Sequence, residues 1–250
     1  MLVIGDEILS GRTQDANAHH LAGVMAELGI RLAEIRVISD DHTVIVEAVL
    51  ALRTRYDYVF TSGGIGPTHD DITADAVAAA FGVPIDIRDD ARAILLDYYG
   101  AGEITDARLR MARIPEGADL IDNPVSRAPG FRIGNVHVMA GVPVIFREML
   151  AGVRSTLKGG PPTLSHSFRA QVAEGEIAKP LGEIAERHSA VAIGIYPYYR
   201  KGAGCSVILR ATDEAALATA AREVRTMFGL FGVAASEEAS DSGGRLQETP

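Results

Sequence analysis

The chain has 250 residues, 47% hydrophobic and 23% charged, an ordinary globular composition with room for one large core and a smaller companion. Its formal net charge of −9 argues against a nucleic-acid or anionic-membrane partner, though not against a local pocket for one phosphorylated small molecule. The one cysteine, Cys205, excludes an intrachain disulfide and a Cys-rich metal site; no apolar run approaches the ~20 residues that span a bilayer, and no basic segment precedes the first apolar residues, so a cytoplasmic protein without a signal peptide is expected.

Residues 1–5 read as a short buried strand ending at Gly5. Leu21, Val24, Met25 and Leu28 recur at helical spacing, which predicts a helix over 15–28 closed by Gly29. Residues 31–38 are expected to return as a strand. Asp41 or Thr43 can cap the next helix, whose apolar face carries Ile45, Val46, Val49 and Leu50. Residues 57–62 read as a third strand. A helix over 73–81 follows, with Thr73 as cap, Gly82 as stop and Pro84 beyond. This β-α-β-α-β-α order predicts an α/β unit, a mostly parallel sheet with helices on both faces and right-handed crossovers. Such sheets take ligands beyond the carboxyl ends of their strands. Helices are also expected over 90–100, 105–112 and 143–157, and a hairpin over 131–140 that turns at Gly134-Asn135.

GGPP (159–162) is the clearest linker signal. Beyond it the pattern is β-α-β-β-α, with strands over 166–174, 191–197 and 205–211 and helices over 176–187 and 213–228. That is a small α+β unit with an antiparallel component. The expected domains are 1–158 and 163–233, followed by a polar tail, 234–250, expected to be disordered.

The stretch TSGGIGPTHDDIT (61–73) joins a strand to a helix. Glycines let a ligand approach backbone N–H groups, and the helix adds its positive end. The spacing fits neither a Walker loop nor Gly-x-Gly-x-x-Gly, so two readings stand: a tight turn, or a phosphate cradle built on Ser62, Gly63, Gly64, Gly66 and Thr68. Asp70 and Asp71 follow at once. Two acids before a helix often only stabilise its N-terminus. Beside an anion they need a cation, and a Mg²⁺-like ion sharing carboxylate and phosphate oxygens would satisfy both. His69 reads as a polar contact rather than a metal ligand. In GDEILSGRTQDAN (5–17), Gly5, Asp6 and Glu7 sit at a strand's carboxyl end, Arg12 offers charge to a phosphate, and Asp15 and Asn17 precede or cap a helix. Asp40-Asp41 offers a second acidic loop in which Asp41 either caps a helix or faces Asp71. NPVSRAPGF (123–131), with Pro129 and Gly130, and AGVP (140–143), with Gly141, read as ordinary turns or as further ligand-binding loops.

These blocks, five in order over residues 1 to about 157, resemble the molybdopterin-binding MoaB/Mog domain, in the branch of the competence/damage-inducible protein A (CinA-like) proteins and eukaryotic FAD synthases. The run EGEIAKPL (174–181) is similar to the KH-like middle domain of CinA-like proteins, though no Gly-x-x-Gly loop lies between two helices there. The resemblance does not reach the amidase domain of longer members, so no amidase activity is implied. It implies a three-layer MoaB/Mog-like sheet and a pocket for a nucleotide- or pterin-phosphate. It also gives metal-dependent roles to Asp41 and Asp71, with Asp70 a further catalytic candidate, a divalent ion (Mg, Mn or Co) as cofactor, and a homo-oligomer. Ser126-Arg127 depart from the family's usual Gly-x at those positions. The function it implies is a nucleotide pyrophosphatase acting on an ADP-ribose- or FAD-like dinucleotide. The alternatives are a molybdopterin-adenylylating enzyme and a non-catalytic nucleotide-binding or assembly module.

Overall fold

The computed structural model describes residues 1–100, 102–198 and 204–240. The chain divides into two compact units, Met1–Ala22 with Leu32–Lys158, and Gly23–Arg31 with the chain from Gly159 onward. In chain order, β1 (Leu2–Ile4) leads through a short helical turn, α1 (Asp6–Leu9), into α2 (Asn17–Glu27) and β2 (Arg36–Ile38). α3 (His42–Arg55), β3 (Val59–Ser62) and α4 (Thr73–Phe81) follow. An antiparallel ribbon of β4 (Ile85–Ile87) and β5 (Arg113–Pro115) brackets α5 (Asp89–Tyr99) and α6 (Asp106–Arg110). β6 (Asp119–Ile121), β7 (Gly130–Ile133), β8 (Val136–Met139) and α7 (Pro143–Val153) complete the first unit.

Its six-stranded sheet runs β2-β1-β3-β8-β7-β6. β2, β1, β3 and β8 are parallel, and β7 turns back between β8 and β6. On one face Leu2, Ile4, Val59, Phe131 and Val138 pack with Ile45, Val49 and Leu52 of α3, Val77 of α4 and Leu95 of α5. The alternate strand residues Val3, Phe60, His137 and Met139 face the other way and are also buried, as are Leu21 of α2 and Phe146, Met149 and Leu150 of α7. Covering both faces is why β1, β3 and β8 are buried along their whole length. Each such side chain contributes about 1.5–3 kcal/mol on burial. The unit is a three-layer, MoaB/Mog-like α/β sheet.

Several elements differ from the sequence expectation for identifiable reasons. β2 covers only the end of the expected 31–38 strand, because its one partner, β1, offers just Leu2, Val3 and Ile4 for pairing. α6 stops before 112 because Ala112 accepts the Arg88 N–H and Arg113 joins the ribbon. Thr73 is the first residue of α4 rather than its cap, which is Ile72.

The second unit has β9 (Leu164–Ala170), α8 (Glu174–Arg187), β10 (Ala192–Tyr198), β11 (Gly204–Ala211), α9 (Glu214–Leu230) and β12 (Ala235–Ser240). Its antiparallel sheet runs β10-β11-β9-β12, and Phe168, Val207 and Leu209 pack on Ile177, Ile184, Val224 and Phe228 of the helices. β12 corrects the expectation of disorder from residue 234. The segment pairs with β9 through its backbone, and Glu237 takes both Arg225 nitrogens at 2.6 Å with His166 at 3.2 Å. Polar composition concealed an edge strand whose binding is by main chain and ion pair. The rest of the expected tail, 241–250, lies outside the described residues. No helix among the described residues is long and apolar enough to cross a membrane.

His137 is 2% exposed, stacks on Phe60 with ring centroids 4.9 Å apart, and leaves Nδ1 without a partner. Burial, aided by Arg132, lowers its pKa from 6.5 to about 4. As pH falls below 6.5 the unfolded chain takes up a proton that the folded chain refuses, so stability is lost on the way to pH 4. At pH 5 that loss is about 2 kcal/mol. We expect thermal unfolding at pH 7 and pH 5 to show this drop in the wild type and its absence in His137→Leu. An equal drop in both would assign it to other groups.

Candidate functional site

From β1 the chain moves outward to β2, whereas β3 and β8 extend the sheet on the other side. The direction of winding therefore switches between β1 and β3, the place where open α/β sheets leave a crevice beyond their strand ends. The 61–73 loop fills that place. Gly63 has φ 112 and Gly64 φ 68, both in the region that favours glycine. A Cβ on Gly63 would land on the Ile4 carbonyl oxygen, and one on Gly64 would land on the Thr73 hydroxyl. Thr73 locks the turn, since its hydroxyl donates to the Gly63 carbonyl and its N–H to the Gly64 carbonyl, both at 3.0 Å.

Of the N–H groups expected to cradle an anion, that of Gly63 is used internally, donating to Met139 at 3.2 Å. Those of Gly64 and Gly66 have no hydrogen-bond partner among the described residues. Asp71 closes the tip, accepting the Thr68 N–H at 2.8 Å and the Thr68 hydroxyl through Oδ2. Its Oδ1 takes no hydrogen bond among the described residues. A Cβ on Gly66 would sit 2.6 Å from Asp71 Oδ2. His69 is fully exposed at the loop's crest, 4.0 Å from Asp70.

Around this loop the structure gathers carboxylates. The Asp6 N–H donates to Asp40 Oδ2 at 2.9 Å, and the Gly5 N–H to the Ile38 carbonyl at 3.1 Å. These bonds hold the 5–7 turn on the end of β2. Burial raises the Asp40 pKa, the Asp6 N–H opposes this, and the charges of Asp6, Glu7 and Asp70 raise it further. The Asp70 carboxyl is held below its usual range, first by the Thr68 hydroxyl. Asp41 is elsewhere engaged. It is the N-cap of α3, accepting the Val44 N–H at 3.0 Å. Asp40 is thus the acid bonded to the 5–7 turn, while Asp41 spends its Oδ1 on the start of α3. Only one of two adjacent acids can cap a helix, and the helix start at His42 assigns that task to the second.

Asn17 is buried at the start of α2, where Nδ2 donates to Ser62 at 2.8 Å and to the Gly141 carbonyl at 2.7 Å. It ties β3 to the AGVP loop. Asp15 caps α2 by accepting the Asn17 and Ala18 N–H groups. Arg12 is exposed and has no partner among the described residues. Gly141 lies against Gly63, where a Cβ would be 3.2 Å from the Gly63 Cα. Gly130 has a packing role, because a Cβ there would strike the Val138 carbonyl and Met149. Asn123 is a residue that the sequence does not single out. It is 1% exposed and binds Ser126, Ala128 and the Val125 N–H at 2.7–3.1 Å, which shapes the 123–130 loop. Arg127, at φ 61, pairs with Asp122 at 3.2 Å.

Below the loop a cleft is lined by Ile65, Gly66, Asp71, Arg110, Met111 and Pro129, among others. As for a metal, no group of three or more His, Cys, Asp or Glu side chains among the described residues is arranged as a ready cage. A Mg²⁺-like ion does not need one, since it takes one or two carboxylates and completes its shell with phosphate oxygens and water. The like-charged Asp40, Asp6, Glu7 and Asp70 fit that manner of binding.

A family model described as a probable molybdopterin binding domain matches residues 1–159. The chain belongs to that family. Within it, a CinA-like protein of Geobacter sp. (strain M21) is 35% identical over 254 residues, covering 96% of this chain and 60% of that protein. A probable FAD synthase of Caenorhabditis elegans is 34% identical over 223 residues, covering 79% of this chain and 43% of that protein. This molybdopterin-binding-domain chain thus spans about 60% of the length of the CinA-like proteins it matches. A model described as the middle domain of FAD synthase matches residues 162–235. The crystal structure of CinA from Thermoplasma acidophilum, described as of unknown function, superposes with a TM-score of 0.59 at 34% identity, covering 62% of this chain and 94% of that one.

Gly63 and Gly11 make a matched test of the loop. Both have positive φ, but nothing lies within 4 Å of a Cβ on Gly11. Gly11→Ala should cost about 1 kcal/mol from backbone strain alone. Gly63→Ala must also part β3 from β1 and should cost at least about 2–3 kcal/mol. Urea unfolding of the two variants measures the difference, and equal costs would mean that Ile4 does not confine this loop.

Proposed function

We propose that the chain is a divalent-metal-dependent pyrophosphatase that hydrolyses an ADP-ribose- or FAD-like dinucleotide. The observation that carries this reading is the meeting of unpaired Gly64 and Gly66 N–H groups with Asp40, Asp70 and Asp71 at the sheet's switch point. Amide donors there suit a phosphate. Acids beside them repel it unless a cation joins both. Asp40 and the free oxygen of Asp71 would hold the ion, with Asp70 and Glu7 flanking, and the ion would supply charge neutralisation and an acidified water. In the proposed hydrolysis a water oxygen would bond to one phosphorus of the diphosphate as the P–O–P bridge breaks, with the water's proton passing to a flanking carboxylate, and two phosphomonoesters would leave. With Asp40 engaged on the ion, Asp70 or Glu7 would accept the water's proton. The Gly64 and Gly66 amides would hold the phosphate oxygens as charge builds. The FAD synthase among the relatives and the FAD synthase middle-domain match support a dinucleotide of the FAD kind.

A second reading, binding or adenylylation of molybdopterin, is favoured by the description of the family model over 1–159. It uses the same loop and acids with a pterin phosphate. The homo-oligomer that the family resemblance implies is part of the proposal.

The test is AMP release from ADP-ribose, FAD and NAD with Mg²⁺, Mn²⁺ or Co²⁺; no AMP with any combination ends the hydrolase reading. Asp40→Asn can still accept the Asp6 N–H, so it should fold normally yet lose at least about 100-fold in kcat/KM. Asp41→Asn keeps a good helix cap and should stay within about twofold in both stability and turnover. The reverse ranking would return the role to Asp41.

A further inference from the structure

We infer, on the diphosphate reading above, that Arg127 is a substrate-binding residue. It would give up its surface ion pair to take the phosphate that lies further from the glycine-loop amides. Placement is the first support. Phe131 of β7 pairs with Val138 and Ile133 with Val136, so the start of β7 lies beside the end of β8. β8 is parallel to β3, and the 122–129 loop therefore opens on the same sheet edge as the glycine loop. The two loops meet, since Pro129 lines the same shallow cleft as Gly66 and Asp71.

The backbone gives the second support. Asn123, buried at 1% exposure, spends its whole side chain on this loop. Nδ2 donates to Ser126 Oγ at 2.7 Å and to the Ala128 carbonyl at 2.8 Å, and Oδ1 accepts the Val125 and Ser126 N–H groups, both at 3.1 Å. The Asn123 carbonyl accepts the Arg127 N–H at 3.0 Å. Held in this way, Arg127 sits at φ 61, the one positive φ outside glycine among the described residues. That conformation is unfavourable for any residue with a β-carbon, and a glycine would relieve it. The visible compensation is small. Arg127 Nη1 lies 3.2 Å from Asp122 Oδ1, with the two side chains 36% and 66% exposed. Ion pairs open to water in this way contribute little to stability. The loop thus carries an arginine where its own folding asks for a glycine. Strain that folding does not explain, at the edge where a ligand is expected, points to a use for the side chain.

The charges of the edge say which use. Asp6, Glu7, Asp40 and Asp70 cannot serve an anion directly. A diphosphate tied to one ion still has oxygens directed away from that ion. A guanidinium suits them, because its planar fork donates two parallel N–H bonds to a phosphate, a stronger contact than the one bond it makes to Asp122. Asp122 is exposed, so water can solvate it once it is released.

The experiment is calorimetric titration of the whole chain, in Mg²⁺, with inorganic pyrophosphate and with inorganic phosphate. Arg127→Gly removes the guanidinium while easing the backbone. Asp122→Asn frees the guanidinium from its pair. Arg132→Ala removes an equal charge from β7, where Arg132 pairs with Asp119, and so controls for net charge. Arg127→Gly should lose at least about tenfold in pyrophosphate affinity and keep its phosphate affinity. Asp122→Asn should bind pyrophosphate at least as tightly as the wild type, and Arg132→Ala should match the wild type. The assignment is overturned if the wild type does not bind pyrophosphate, or if Arg127→Gly binds it equally well. It is also overturned if phosphate weakens as much as pyrophosphate, if Arg132→Ala weakens binding to the same extent, or if Asp122→Asn binds more weakly, which would make the ion pair a structural brace. Release of AMP from ADP-ribose is scored on the same proteins. Turnover with pyrophosphate binding indifferent to Arg127 removes the contact and leaves the hydrolase. Arg127-dependent binding without turnover leaves the contact and removes the hydrolase.

Discussion

Where the loop leaving β3 crosses the end of β1, the Gly63 Cα lies so close to the Ile4 carbonyl that no side chain can come between them. The same residue gives its N–H to Met139 at the end of β8 and its carbonyl to the Thr73 hydroxyl at the start of α4. Three strand ends and a helix start are therefore fixed on one residue. Gly141 presses from the AGVP loop, and Asn17 bridges that loop to Ser62. Everything proposed for the site depends on this closeness. Because Gly63 is used up internally, the amides left over belong to Gly64 and Gly66, one step further from the sheet. A wider loop would lose both the anion seat and the approach of the acids.

The second constraint is electrostatic. Parallel strands deliver the loops after β1, β2 and β3 to the same edge, and in this chain all three loops carry acids. A fold does not ordinarily bring Asp6, Glu7, Asp40 and Asp70 near one another for stability, since burial and mutual repulsion both disfavour the charged form of Asp40. The Asp6 N–H bonded to Asp40 offsets part of that cost and fixes the carboxylate's direction. Perturbed acids of this kind collect at functional sites, where something absent from the bare protein completes the balance. A cation shared with a diphosphate would complete it here.

How much of this was legible in the sequence varies with the interaction involved. The helices announced themselves through apolar spacing and stops such as Gly82, which indeed ends α4 in the left-handed conformation at φ 67. The parallel sheet followed from element order. β4, β5 and β6 were not visible, because each is three residues long and carries a charged residue, unlike the equally short but wholly apolar β1. β12 was hidden by polar residues that take their partners from Arg225 and His166, far away in sequence. At the site, the glycine loop and its acids could be read, but not the division of labour between neighbours. Asp40 and Asp41 look alike on paper, and only the start of α3 separates them. Likewise a run of arginines at 108, 110 and 113 says nothing of which one is left unpaired.

That last distinction follows from helix geometry and local pairing together. Residues two apart on a helix lie on different sides, so α6 cannot direct Arg108 and Arg110 to the same place. Arg108 turns to Tyr99 and Glu103, and so fastens the helix to α5. Arg113 enters β5 and finds Asp75 on α4. Arg110 is what remains, lining the cleft that Gly66 and Asp71 border. The loop thus borders two environments within a few residues of chain, one acidic and amide-lined, the other a shallow cleft of mixed lining with one unpaired cation. Under the proposed reading, a diphosphate and its cation together would satisfy the amides and the acids of that edge, which neither a free anion nor a free cation would do.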